Sequence, residues 1–166
     1  MKERIDKGIG VVEEGAPQVM IYLAHFSDPR IGHMIEGCGL SIPQTYLAAI
    51  MSKYRRSTPL VSGEILAREE LARGSFHGNC GVVTRVAEII RETKVDGIIW
   101  NYLYNCRPIS QPVYLLKHFV ERETGVPVLA LESDLADSRT YSAETLRTRV
   151  ETFAEMLRLR KAAVKG

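Results

Sequence analysis

The sequence predicts an α/β fold in which a mainly parallel sheet carries helices on both of its faces. Three continuous apolar segments, at residues 19–26, 97–104 and 126–132, have the length and the β-branched or aromatic content of buried strands. Segments with helical periodicity alternate with these strands, and such alternation is typical of a parallel sheet covered on both sides. We therefore expect a single α/β domain with about four or five strands.

The first half of the chain contains one clear strand with weaker signals around it. Residues 1–18 are polar and are predicted to be a connector that leads into an α/β domain at 19–166. After the strand at 19–26, a turn at 27–29 starts a short helix over 31–36, which Gly37 or Gly39 ends. A second strand is predicted within 40–48, although Pro43 weakens that prediction.

The middle of the chain is predicted to be helical on both sides of a break. Residues 63–73 have a helix-like pattern, and the glycine-rich residues 74–79 interrupt it. Residues 80–93 then form an amphipathic helix, because apolar residues recur at spacings of three and four, at Val82, Val83, Val86, Ile89 and Ile90.

The second half has the clearest pattern. The strand at 97–104 leads to a helix over 112–124, with proline at its first position and Gly125 just past its end. The strand at 126–132 follows, and the crossover between the two strands should be right-handed. Ser142 is then predicted to cap a long helix whose apolar stripe consists of Leu146, Val150, Phe153 and Leu157. This order of elements indicates a Rossmann- or flavodoxin-like arrangement.

Composition argues against several classes of protein. The chain has 166 residues, 45% of them hydrophobic and 25% charged, and a formal net charge of +2. That charge is too small to indicate a nucleic-acid or membrane-surface partner. No apolar run has the length of a membrane span, and the first residues lack a secretion signal, so we expect a cytoplasmic protein. The basic residues at 158–165 are predicted to be a solvated helix end whose cations suit the helix dipole.

Cys106 is the first candidate for chemistry, and the residues around it leave its role open. It lies just past the strand at 97–104, where open parallel sheets bind their ligands. It could be a packed thiol, a nucleophile activated by His77 or His118, or a metal ligand. A ligand role needs partners, and the spacings of Cys38 and Cys80 match no known cluster loop. Dinucleotide-binding, P-loop and zinc-protease motifs are absent from the sequence.

A second group of polar residues follows the strand at 126–132. Glu132 and Asp134 lie between the end of that strand and the last helix, with Arg139 nearby. They could form a locally capped loop in which Arg139 pairs with a carboxylate. Alternatively, Glu132 and Asp134 face the same crevice as Cys106, because loops that leave neighbouring parallel strands lie at one edge of the sheet.

Together these segments resemble the 2-hydroxyacyl-CoA dehydratase and benzoyl-CoA reductase family of iron–sulfur enzymes. The resemblance covers residues 80–157 well and the first 75 residues loosely. It lies in Val95-Asp96-Gly97-Ile98-Ile99, Asn105-Cys106-Arg107-Pro108-Ile109-Ser110, Gly125-Val126-Pro127, the E-x-D-x-x-D-x-R loop from Glu132 to Arg139, and Leu146-Arg147-Thr148-Arg149.

The resemblance implies a subunit with two α/β domains, of which this chain corresponds to the C-terminal one. It also implies a [4Fe–4S] cluster to which Cys106 contributes one thiolate, while the subunit's other two cysteines come from an N-terminal domain without a counterpart here. The residues that it places around the cluster and the substrate are Asn105, Arg107, Ser110, Gln111, Glu132, Asp134 and Arg139.

The family further implies an acyl-CoA substrate, low-potential one-electron chemistry and a role in anaerobic metabolism. It implies a second subunit of similar fold and a separate ATP-hydrolysing activator. On this hypothesis the chain is a fragment or subunit of a dehydratase (a lyase) or of a reductase (an oxidoreductase), and it is inactive alone. The alternatives are a cluster-less scaffold or assembly module of the same ancestry, and a flavodoxin-like small-molecule binding domain. A domain of a larger subunit exposes apolar surface, so we also expect a homo-oligomer.

Overall fold

The structure is a computed structural model that describes residues 2–22, 29–46, 48–49, 63–64, 67, 78–104, 106, 113–134 and 142–165. The helices and strands with defined bounds are, in chain order, α1 (Lys2–Asp6), β1 (Gln18–Tyr22), α2 (Pro29–Gly37), β2 (Ser41–Thr45), α3 (Gly78–Thr93), β3 (Gly97–Leu103), α4 (Val113–Thr124), β4 (Val128–Ser133) and α5 (Ala143–Lys165).

The described strands form one parallel sheet with the order β2-β1-β3-β4. The register pairs Val19 with Gly97 across β1 and β3, and Ile98 with Val128 across β3 and β4. The prediction of a parallel α/β sheet is therefore confirmed, including the parallel pairing of the strands that begin near residues 97 and 126. An order in which the first strand lies between the second and the third is that of flavodoxin-like folds, which bind ligands where the direction of winding reverses.

Helices cover both faces of the sheet, because neighbouring residues of each strand point to opposite sides. On one face, α3 and α4 pack against side chains such as Met20, Ile98 and Trp100. On the other face, α2 and α5 pack against side chains such as Ile21 and Ile99. The predicted stripe of α5 lies in this second core cluster: Leu146, Val150, Phe153 and Leu157.

Several helix boundaries agree with the sequence. The Ser142 hydroxyl accepts a hydrogen bond from the Thr145 amide at 3.3 Å, as expected of an N-cap. Gly39 has a φ of +76° and Gly125 a φ of +69°, and each follows the end of its helix. The expected connector at 1–18 contains the short helix α1.

Other boundaries differ from the prediction. Helix α3 begins at Gly78 and thus includes residues 78–79, which were expected to belong to the break. These residues can join the helix because the first amides of a helix have no hydrogen-bond partner within it. Strand β4 begins at Val128 rather than at 126, because Pro127 has no N–H to donate, although its carbonyl accepts the Ile98 amide at 3.0 Å. Strand β1 ends within the described residues at Tyr22, and the rest of the expected strand lies outside them.

In the basic C-terminal part of α5, Arg158 and Arg160 are exposed, as predicted for a solvated helix end, but its cations also make tertiary contacts that the sequence did not indicate. Arg158 donates to the Cys38 carbonyl and Arg160 donates to the Gly125 carbonyl. Lys161 forms an ion pair with Asp96 at 2.9 Å. These cations tie α5 to loops at the edge of the sheet where the strands begin, a contact that depends on tertiary packing.

The outer edge of β4 is covered by two charged side chains. The amides of Ile98 in β3 and of Tyr104 just after it donate to the carbonyls of residues 127 and 133. The backbone groups of residues 128, 130 and 132 therefore point away from β3. Glu121 of α4 accepts the Val128 amide at 2.8 Å, and Arg149 of α5 donates to the Ala130 carbonyl at 2.6 Å. Covering an edge strand in this way hinders pairing with another chain.

The outer surface of α4 carries large apolar side chains. Tyr114, Leu115 and Phe119 are 69%, 64% and 40% exposed. Exposed apolar side chains on one helix are consistent with the expected apolar surface. Within the described ranges, no helix combines the length and the apolarity that a bilayer crossing requires.

Candidate functional site

The carboxyl ends of β3 and β4 lie side by side, as the sequence predicted. Tyr102 is in register with Glu132 and Leu103 with Ser133. The Tyr104 amide donates to the Ser133 carbonyl at 2.8 Å, so backbone pairing continues to the last residue of β4. The loops that carry Cys106 and Asp134 therefore leave the sheet at the same edge.

Cys106 is held close to the end of β3. Its amide donates to the Leu103 carbonyl at 3.2 Å, which keeps the Cys106 backbone next to the last residue of the strand. The residue is half-buried, as is Asp134, which directly follows β4. A half-buried thiol at this edge is accessible to a ligand while its backbone is held by an inner strand.

Cys38 lies at the opposite end of the sheet from Cys106. It precedes the start of β2 by three residues, whereas Cys106 follows the end of β3 by three residues. Because the described strands are all parallel, the length of a strand, about 20 Å, separates the two cysteines. Cys80 is in the first turn of α3, the helix that runs from the Cys106 edge back to the start of β3.

A [4Fe–4S] cluster needs four ligands, most often cysteine thiolates. The part of the chain that the structure describes contains no group of three or more His, Cys, Asp or Glu side chains that could hold a metal ion. The described residues therefore do not form a complete cluster site.

Cys38 is buried, and burial together with the Glu151 carboxylate raises the pKa of its thiol, although Arg147 and Arg158 oppose the shift. A cavity of about 730 Å³ lies beside it, at the edge where the strands begin, and residues 10–17, 36–39 and Arg158 line it. This cavity is remote from Cys106. A buried thiol with a raised pKa is protonated at neutral pH and unreactive.

Tyr102, Tyr114 and Glu132 form a group of titratable side chains on the α4 side of the Cys106 edge. The rings of Tyr102 and Tyr114 meet edge to face, with centroids 6.5 Å apart. Burial raises the pKa of the Tyr102 hydroxyl above its usual value, and hydrogen bonding to Tyr114 and the charge of Glu132 add to the shift. Tyr102 therefore remains protonated, and Glu132, whose role as a site residue was predicted, contacts this phenol.

Three aromatic rings form a row on the same face of the sheet. The Tyr22 ring lies 4.4 Å from that of Tyr46 and 4.0 Å from that of Trp100, centroid to centroid. Burial, with a contribution from Tyr46, raises the pKa of Tyr22. The Trp100 indole N–H is buried and has no hydrogen-bond partner among the described residues. The row packs β1, β2 and β3 together close to their carboxyl ends.

Asn101 was not among the predicted site residues. It lies within β3, is fully buried and bonds Ser133 at the end of β4. The signal in the sequence was a single amide inside the apolar run Ile98-Ile99-Trp100-Asn101-Tyr102-Leu103. Nothing local indicated that its partner would lie thirty-two residues further along the chain.

Five of the predicted site residues lie outside the described part of the chain: Asn105, Arg107, Ser110, Gln111 and Arg139. Their roles stay predictions. The structure describes Cys106, Glu132 and Asp134, and it places all three at the carboxyl ends of adjacent strands.

Comparison with curated proteins gives matches to subunits of acyl-CoA enzymes. The chain is 30% identical over 69 residues to the alpha subunit of (R)-2-hydroxyglutaryl-CoA dehydratase from Acidaminococcus fermentans. These 69 residues are 42% of this chain and 14% of that protein. It is 28% identical over 75 residues to a subunit of benzoyl-CoA reductase from Thauera aromatica, 45% of this chain and 17% of that protein. It is 30% identical over 74 residues to the alpha subunit of (R)-phenyllactyl-CoA dehydratase from Clostridium sporogenes, 45% of this chain and 18% of that protein.

The aligned part of the chain thus spans less than a fifth of each of these relatives. A family model gives a broader match. The model described as 2-hydroxyglutaryl-CoA dehydratase, D-component, matches residues 1–157, nearly the whole chain and both halves of the sheet. The chain therefore belongs to the 2-hydroxyglutaryl-CoA dehydratase D-component family.

Proposed function

We propose that this chain is part of a subunit of a 2-hydroxyacyl-CoA dehydratase or benzoyl-CoA reductase, in which Cys106 provides one thiolate to a [4Fe–4S] cluster beside an acyl-CoA substrate. The observation that carries this proposal is the position of Cys106, half-buried and three residues beyond an inner strand of the sheet. Ligands of open parallel sheets bind at this edge. The family membership of the chain supports an acyl-CoA substrate.

The described residues suit the role of one wall of such a site. The backbone bond from Cys106 to Leu103 holds the Cys106 backbone next to the end of β3. Asp134 and Glu132 bring carboxylates to the end of the adjacent strand. The remaining cluster ligands would come from outside the described residues, because the described residues hold no set of three.

When bound, the cluster would supply low-potential electron transfer, which requires shielding from water and hydrogen bonds to sulfur. In this proposal, Asn105 and Arg107 would donate such hydrogen bonds to the thiolate. Arg107, Ser110 and Gln111 would provide donors for the substrate carbonyl, and Arg139 would belong to the surroundings of the cluster and the substrate.

The proposal includes two partners. One is a second subunit of similar fold, and the other is an ATP-hydrolysing activator that delivers the electron. The names of the relatives support the first partner, since each relative is named as one subunit of its enzyme. The exposed apolar residues of α4 are available for packing against another subunit.

The test is the iron content of a Cys106→Ala variant. The chain is produced anaerobically with its candidate partner subunits and activator, and iron and acid-labile sulfide are measured in the purified complex. We expect Cys106→Ala to fold and assemble but to lose the cluster and the activity. Cys38→Ala is the matched control, because Cys38 lies at the other end of the sheet, and it should retain both.

A Cys106→Ala complex with full iron content and full activity would contradict the proposal. A wild-type complex that assembles without iron would instead support a cluster-less scaffold of the same ancestry.

A further inference from the structure

Asn101 is the one fully buried polar side chain in the described core. Its amide nitrogen donates to the Leu131 carbonyl at 3.3 Å and to the Ser133 hydroxyl at 3.0 Å. The Ser133 hydroxyl in turn donates to the Asn101 side-chain oxygen at 3.2 Å. The two side chains therefore form a reciprocal pair that joins the last residue of β4 to β3.

Pairing of the two strands does not require this amide. The backbone ladder between β3 and β4 continues through the Tyr104 to Ser133 bond at 2.8 Å. The face on which Asn101 lies is otherwise apolar, with Ile99, Leu131 and Val150 in the same cluster. An aliphatic side chain could fill this position without the cost of removing an amide from water.

The specific effect of the amide is on the end of β4. Backbone pairing alone leaves the Ser133 side chain free to rotate, and the bonds to Asn101 hold it in one orientation. Asp134 is the next residue, and Cys106 follows Asn101 by five residues along the other strand. Asn101 thus connects the ends of β3 and β4 on one face of the sheet, whereas the contact of Tyr102 with Glu132 connects them on the other face.

We propose that Asn101 is a positioning residue that adds a side-chain link to the backbone pairing at the ends of β3 and β4, so that Cys106 and Asp134 keep one relative position at the carboxyl edge of the sheet. The importance of that position for catalysis rests on the proposed function. The positioning itself can be measured without a cluster or a substrate.

The first measurement is a double-mutant cycle on the full chain with Asn101→Ala, Ser133→Ala and the combined variant. Reciprocal hydrogen bonds in a buried site give non-additive effects. We expect a coupling of about fivefold in the unfolding equilibrium constant, which corresponds to about 1 kcal/mol. Effects that simply add would overturn the pairing.

The second measurement separates positioning from stability. Alkylation of Cys106 is followed by peptide-resolved mass spectrometry in Asn101→Leu, whose side chain has a similar size and restores apolar packing. We expect the stability of Asn101→Leu to be close to that of the wild type. The alkylation rate of Cys106 should rise by about threefold, because the end of β3 opens more easily. The control is Ile99→Val, because Ile99 lies two residues before Asn101 on the same face of β3. This variant should lower stability and leave the alkylation rate of Cys106 unchanged.

An Asn101→Leu chain in which Cys106 reacts at the wild-type rate would refute the positioning role. The outcome is independent of the iron measurement on Cys106→Ala. The failure of the proposed function and the failure of this inference can therefore be told apart.

Discussion

Replacement of Gly97 by alanine tests how closely α5 packs on the sheet. Gly97 is the first residue of β3, and a Cβ atom there would lie 2.9 Å from the Leu157 Cδ1 atom. The same Cβ atom would lie 2.9 Å from Phe153 Cζ and 3.1 Å from Phe153 Cε1. Both side chains are buried in the cluster beneath α5, so neither can move out into solvent. Glycine is therefore required here by the lack of space for a Cβ atom. Backbone conformation does not require it, because Gly97 does not have a positive φ.

The size of the effect follows from these distances. Carbon atoms that are not bonded prefer a separation of about 3.5–4.0 Å, so two buried side chains would have to retreat by about 0.6 Å or more. Adding a methyl group to a well-packed core costs about 1–3 kcal/mol. We expect Gly97→Ala to lower the free energy of unfolding by this amount, measured by urea denaturation followed by circular dichroism.

Gly32→Ala is the matched control, because Gly32 lies inside α2 and nothing approaches its Cβ position within 4 Å. Alanine is the better helix former, so this variant should gain about 0.5–1 kcal/mol. Combining Gly97→Ala with Phe153→Leu should cost less than the sum of the single changes, because the smaller side chain relieves the overlap. A Gly97→Ala protein as stable as the wild type would refute the close packing.

Three further predictions concern ion pairs, pH and association. Lys161→Met removes the ion pair with Asp96, in which each side chain is about 30% exposed. We expect the free energy of unfolding to fall by about 0.5–1 kcal/mol, and by less at high salt. A loss that does not depend on salt would contradict an electrostatic cause. Burial raises the pKa of Tyr102 in the folded state, so its contribution to stability is complete below the unfolded value of about 10 and is lost as pH rises above it. In Tyr102→Phe, the melting temperature should fall less steeply above about pH 10 than in the wild type. An unchanged slope would contradict a contribution from Tyr102. Removing Glu121 and Arg149 together exposes two outward-facing backbone groups of β4 and should increase self-association in sedimentation velocity; an unchanged sedimentation profile would show that these side chains do not block the edge.

The elements with the strongest patterns were predictable from the sequence alone. The apolar runs at 97–104 and 126–132 became adjacent parallel strands, since a strand buried on both faces has no polar alternation. The stripe of α5 was predictable because Val150, Phe153 and Leu157 recur at helical spacing and are buried together. The position of Cys106 followed from the same pattern, as it lies just past a recognisable strand.

Element boundaries were less predictable because they depend on single hydrogen bonds. Pro127 lacks the amide that would have extended β4 backwards, and Gly78 and Asn79 join α3 where a break was expected. Propensity alone does not resolve such choices, since the first turn of a helix tolerates residues that its interior does not.

Tertiary structure alone decided which distant residues meet. The parallel direction of the described strands separates Cys38, just before β2, from Cys106, just after β3, by about the length of a strand. Packing of α5 across the sheet brings Lys161 to Asp96, a pair sixty-five residues apart in sequence. The register of β3 and β4 places Asn101 beside Ser133, and no local pattern encodes that contact. The physical reason is that a sequence pattern determines which face of an element is buried, whereas the element that covers this face is selected only when the whole chain packs.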